Sequence, residues 1–157
     1  MARLTVIVQP DEPAIGRHAE IVDWPLHVTV LQAFTIEVTP EHVVQQVLEI
    51  LRRTKPLAVT GAGIEHFGPA ADIEVTVLST SRELVDLHHR LLDRLSSSPG
   101  FRPDIPAYSG DGYRPHVTAC NNGSLRIGDE MHLQWGAIVD MEGHPEVIAA
   151  TPLYAAG

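Results

Sequence analysis

Two short segments carry side chains suited to acid–base work on a phosphate. One is Trp24-Pro25-Leu26-His27-Val28-Thr29-Val30, the other Tyr113-Arg114-Pro115-His116-Val117-Thr118-Ala119. In an extended chain side chains alternate between faces, so His27 and Thr29 point one way and Val28 the other, with the same split at His116, Val117 and Thr118. Cleaving a phosphodiester takes a base to activate the attacking oxygen and an acid to protonate the departing one. Two imidazoles with an unperturbed pKa of about 6.5 can divide those roles. The threonine hydroxyls are suited to donate to the non-bridging oxygens and steady the charge gathering there. This division of labour calls for no metal, and it predicts a bell-shaped dependence of rate on pH.

A lone His-x-Thr in a strand is commonplace, and its histidine is usually a buried one satisfied by backbone. Two copies, each after an aromatic residue and a proline, one in each half of the chain, point instead to a diverged internal duplication. If a pseudo-twofold axis relates the halves, His27, Thr29, His116 and Thr118 converge on one groove.

The elements that must position these residues are legible from periodicity. Leu4 to Val8 and Leu26 to Gln32 read as strands, joined by an irregular stretch from Gln9 to Asp23. Thr39 is an N-cap with Pro40 at the first helical position, and Val43, Val44, Val47, Leu48 and Leu51 form an apolar stripe that runs to about Thr54. Strands are expected over Leu57 to His66 and Asp72 to Leu78, around a Gly68-Pro69 turn. Thr80 and Glu83 suggest a capping box for a second amphipathic helix ending near Ser97. Ser96 to Gly112, rich in Ser, Pro and Gly, reads as a long loop, and Arg114 to Cys120, Met131 to Met141 and Val147 to Tyr154 read as strands. The expected architecture over residues 1–157 is one α+β domain: two pseudo-twofold-related, antiparallel-rich sheets with outer helices and a central groove.

Bulk properties narrow the partners. With 11 basic against 20 acidic residues, the net charge of −9 argues against holding long nucleic acid, because that affinity comes from clustered Lys and Arg. The single cysteine, Cys120, fits a reducing compartment and rules out a Cys-based zinc site. With no signal-peptide pattern and no long apolar run, the expectation is a cytoplasmic monomer that neither meets a membrane nor uses a cofactor.

Of the remaining candidates, Arg114 shares the parity of His116 and could contact a phosphate or a base. Phe67, beside the Gly68-Pro69 turn, and Tyr108, in the long loop, could wall the groove mouth. Trp24 and Tyr113 are expected to pack in the core. His88 and His89 lie side by side on a helix and cannot clamp a metal; both are expected to be solvated or interfacial. His42, on the first helix, is likewise expected to be solvated or interfacial, and His18, His66, His132 and His144 lack the spacings of a zinc site.

The paired segments Leu26-His27-Val28-Thr29-Val30 and Tyr113-Arg114-Pro115-His116-Val117-Thr118 resemble the signatures of the two-histidine (2H) phosphoesterase superfamily, which includes 2′-5′ RNA ligase-like proteins and cyclic nucleotide phosphodiesterases. The resemblance spans the motifs, their separation and the element order from Leu4 to Tyr154. It implies a bilobal fold and metal-independent hydrolysis of 2′,3′-cyclic phosphates, on a small nucleotide or a short RNA end, with His27, Thr29, His116 and Thr118 as the catalytic set. The segment between the first strand and the first motif is short for this family, so a trimmed first lobe is expected. Two other readings keep the groove: cleavage of cyclic oligonucleotide signals, as an anti-defence enzyme would perform, and a non-catalytic nucleotide-binding module.

Overall fold

The computed structural model describes residues 1–16, 20 and 23–154. Its strands are β1 (Ala2–Gln9), β2 (Val28–Ile36), β3 (Leu57–Phe67), β4 (Ile73–Leu78), β5 (Arg102–Pro103), β6 (His116–Thr118), β7 (Glu130–Leu133), β8 (Trp135–Asp140) and β9 (Glu146–Pro152). Its helices are α1 (Pro40–Leu51) and α2 (Arg82–Ser96). The strands run in the order β7-β3-β4-β6-β2-β1-β8-β9, with the short β5 on β2, and each pairing is antiparallel. This is the expected α+β class, and the two motif strands, β2 and β6, meet at the middle of the sheet.

The expected strand from Met131 to Met141 is in fact two strands. It breaks at Gln134, whose N–H donates to Gln9 O and whose carbonyl accepts from Leu153 N–H. β7 pairs with β3 while β8 pairs with β1, six strand steps apart in the sheet order. A flat sheet would place them about 29 Å apart at about 4.8 Å per strand, yet Leu133 and Trp135 can be separated by no more than about 7 Å of chain. The sheet therefore curls into a half-barrel.

One face of the curl carries the main core. Val6, Val8, Val28, Val30 and Val117 from the strands pack with Val43, Val47 and Leu51 of α1 and Leu84, Leu87, Leu91 and Leu95 of α2. Both apolar stripes thus do what their spacing implies. α1 lies so close to β8 that a Cβ on Gly136 would stand 2.8 Å from Leu51 Cδ1, so a larger residue at this crossing would have to push the Leu51 side chain aside. On the opposite face a smaller cluster joins Ile7, Trp24, Ala137, Val139 and Val147.

Thr39 caps α1, accepting from His42 N–H. The cap of α2 is Ser81 rather than Thr80: Ser79 N–H still bonds Thr60 O, so the chain stays extended for longer, and Ser81 Oγ then accepts from Leu84 N–H at 3.2 Å. The stretch from Ser96 to Gly112 is more ordered than a loop. It contains β5 and two 3₁₀ turns, Pro106–Tyr108 and Gly110–Gly112. A Cβ on Gly112 would overlap the carbonyl oxygen of Ala107, so this compact path into the second motif requires glycine. His18 lies outside the described residues. Among those described between β1 and β2 there is no α-helix.

Candidate active site

The second motif forms β6, whereas His27 stands immediately before β2 rather than within it. Val28 pairs directly with Val117, and both are buried in the main core. Continuing this antiparallel register places His27 beside Thr118 and Thr29 beside His116, all four on the face opposite the valines. The local pseudo-twofold axis therefore passes between the two valines, and each histidine neighbours the other motif's threonine.

Both imidazoles are held alike. His27 Nδ1 lies 3.0 Å from Pro25 O and His116 Nδ1 lies 2.8 Å from Arg114 O, each a carbonyl two residues back. A carbonyl only accepts, so each Nδ1 carries the proton and each neutral ring keeps its Nε2 lone pair for other use. Burial pushes both histidines below the ordinary 6.5. The hydrogen bonds to Pro25 O and Arg114 O oppose that shift, while the charge of His116 adds to it at His27 and that of Arg114 adds to it at His116. A pair of such rings flanking two hydroxyls can pass a proton in at one side of a phosphorus atom and out at the other.

A polar brace ties the motifs together. Tyr113 donates its hydroxyl to Thr29 O at 2.7 Å, and its ring stacks on His88 with centroids 4.1 Å apart and planes 7° apart. His88 donates from Nδ1 to Val30 O at 2.7 Å and accepts Gly110 N–H on Nε2 at 2.9 Å. This corrects the expectation that His88 is solvated or interfacial: its exposure is 0%. The sequence holds the reason, since His88 follows Leu84 by one helical turn on the apolar stripe. Tyr113 and Trp24 are buried, as their parity implied. Desolvation raises the Tyr113 phenol far above its usual value, so it stays a donor.

The structure brings Arg114 and Phe67 to His116. The Phe67 ring meets the imidazole edge-on at 4.9 Å, and the Arg114 guanidinium lies 5.2 Å from the Phe67 centroid. Arg114 Nη2 bonds Glu65 Oε2 at 2.6 Å, which lowers the carboxyl's pKa and raises the guanidinium's. Sequence reasoning passed over Glu65. The β3–β4–β6 register pairs Glu65 with Val75 and Val75 with Thr118, which puts Glu65 on the face of the two His-x-Thr motifs. Tyr108 is exposed on its 3₁₀ turn, and none of its described contacts is with a motif residue.

Elsewhere, His132 pairs with Glu130 and His144 with Glu20 on the surface. Among the described residues no three His, Cys, Asp or Glu side chains gather as a metal cluster, and no helix is long and apolar enough to cross a membrane.

Known structures share this architecture. A phosphoesterase aligns over 98% of this chain and 99% of its own, with a TM-score of 0.61 and 15% identity. LigT of E. coli complexed with 3′-AMP aligns over 98% of both chains, with a TM-score of 0.60 and 15% identity. TT0787 of Thermus thermophilus aligns over 99% of this chain and 100% of its own, with a TM-score of 0.57 and 16% identity. At such identities the likeness is one of fold. No curated protein matches the chain. The 2′-5′ RNA ligase superfamily matches across residues 7–135, which include both His-x-Thr motifs. The chain therefore belongs to the 2′-5′ RNA ligase superfamily, within the two-histidine phosphoesterases.

Proposed function

We propose that the protein is a phosphodiesterase that opens 2′,3′-cyclic phosphates on small nucleotides or short RNA ends. One of His27 and His116 takes a proton from water as the water oxygen bonds to phosphorus. The other gives a proton to the ribose oxygen as its bond to phosphorus breaks, leaving a phosphomonoester. Thr29 and Thr118 donate to the non-bridging oxygens. The observation that carries this reading is the Val28–Val117 pairing, which sets two imidazoles with uncommitted Nε2 atoms and two hydroxyls on one face. Family membership supports it. So does the 3′-AMP held by E. coli LigT, the kind of monophosphate that ring opening releases.

The depressed pKa values shape the expected pH profile. The base works only when neutral and the acid only when protonated. With both values below 6.5, kcat/KM should peak on the acid side of 6.5 and fall about tenfold per pH unit above it, as the acid loses its proton. The test is turnover of 2′,3′-cyclic mononucleotides, with cyclic di- and trinucleotides in parallel, in excess chelator. Native activity on the mononucleotides that is lost in His27→Ala and His116→Ala is the expected result. Preference for the cyclic oligonucleotides would reassign the substrate, and tight binding without turnover would make the chain a binding module.

A further inference from the structure

Resting on that reading, we propose that Arg114 serves as a flat stacking surface for a nucleobase and that Glu65 is the positioning residue that holds it so. The two histidines have matching anchors but unlike neighbours. Beside His27 stands Trp24, buried in an apolar cluster with its ring centroid 6.0 Å away. Beside His116 stand Phe67 and, beyond it, Arg114 and Glu65, whose side chains are 53% and 40% exposed. Among the described residues, the side of His116 sets both a ring and a guanidinium near a motif imidazole.

The alternative use of Arg114, gripping a phosphate, fits the charges poorly. Its guanidinium already meets a carboxylate at 2.6 Å, and that carboxylate would repel an approaching phosphate. Glu65 does, however, fix the guanidinium where its plane can extend the aromatic surface of Phe67, and a planar cation is a stacking partner for a base. The register places Glu65 and Phe67 two residues apart on the same face of β3, so one strand supplies both the tether and the ring. The arm reads the nucleoside, while the four motif residues hold the phosphate.

The test compares affinities for adenosine 3′-monophosphate and glycerol 2-phosphate by calorimetry, since the second offers a phosphate without a base. The native protein should prefer the nucleotide by about 5- to 150-fold, the range base stacking supplies. Arg114→Lys keeps the charge and loses the plane, and Glu65→Ala loses the tether; both should cut that preference at least fivefold. Glu65→Gln, which keeps an acceptor oxygen, should restore much of it. Arg94→Ala, which removes an ion pair between the helices, should leave it intact. Equal native affinities, or a preference that survives Arg114→Lys and Glu65→Ala, would overturn the proposal. Because the readout is binding, it is separate from failure of the catalytic reading, which would appear as absent turnover.

Discussion

The two halves of the sheet repeat one constellation in different surroundings. In the half built from β2, β1, β8 and β9, His27 lies over strands that carry both helices on their far face, α2 on β2 and α1 on β8 and β9. Its aromatic neighbour, Trp24, is 2% exposed and spends its surface on packing. In the half built from β7, β3, β4 and β6, His116 meets the half-buried Phe67, and behind Phe67 lie the exposed Arg114 and Glu65. The imidazole anchors are copies, because each depends only on a carbonyl two residues back. The walls are not, because they come from whichever strand the topology lays alongside. Rate is thus expected to depend on both halves alike, and nucleoside selectivity on the second.

The sharpest break of this comparison is removal of the histidines. His27→Ala and His116→Ala should each lower kcat/KM by about 10²–10⁴, and the double variant by little more, since the two act as a unit. Steady-state kinetics on a 2′,3′-cyclic nucleotide measure this, and a tenfold difference between the single variants would end the claim of equal halves. Thr29→Val and Thr118→Val should follow with losses of about 10²–10³ in kcat, because each removes a donor to the phosphoryl oxygens. A rise in KM at unchanged kcat would show that the hydroxyls bind the ground state only.

Smaller effects concern the brace between the halves. His88→Leu leaves Val30 O and Gly110 N–H without their partner and should destabilise the fold by roughly 2–4 kcal/mol in denaturant titrations. Burial holds the His88 pKa below 6.5, so protons bind the unfolded chain more readily. Its contribution is full above about pH 6.5 and declines as the pH falls toward the folded value, a loss the leucine variant should lack. Tyr113→Phe keeps the stack on His88 and removes one hydrogen bond, which should cost about 1 kcal/mol.

Much of the site was readable before any fold. The His-x-Thr triplets, their alternation and their aromatic and proline flanks are local, so strand geometry alone sends histidine and threonine to one face. Amphipathic stripes likewise located α1 and α2. Both the cap of α2 and the extent of β2 were misjudged, because the hydrogen bonds that delimit them come from other strands.

By itself, then, the sequence determined the repeated His-x-Thr pair, the α+β class and the net negative charge, since these follow from residue type and short-range period. Only the tertiary structure decided that Glu65 would meet Arg114, that His88 would bond Val30 O and stack on Tyr113, and that the chain would break at Gln134 to curl the sheet. Each of these depends on strand order and register, which bring distant residues together and leave no trace in local periodicity.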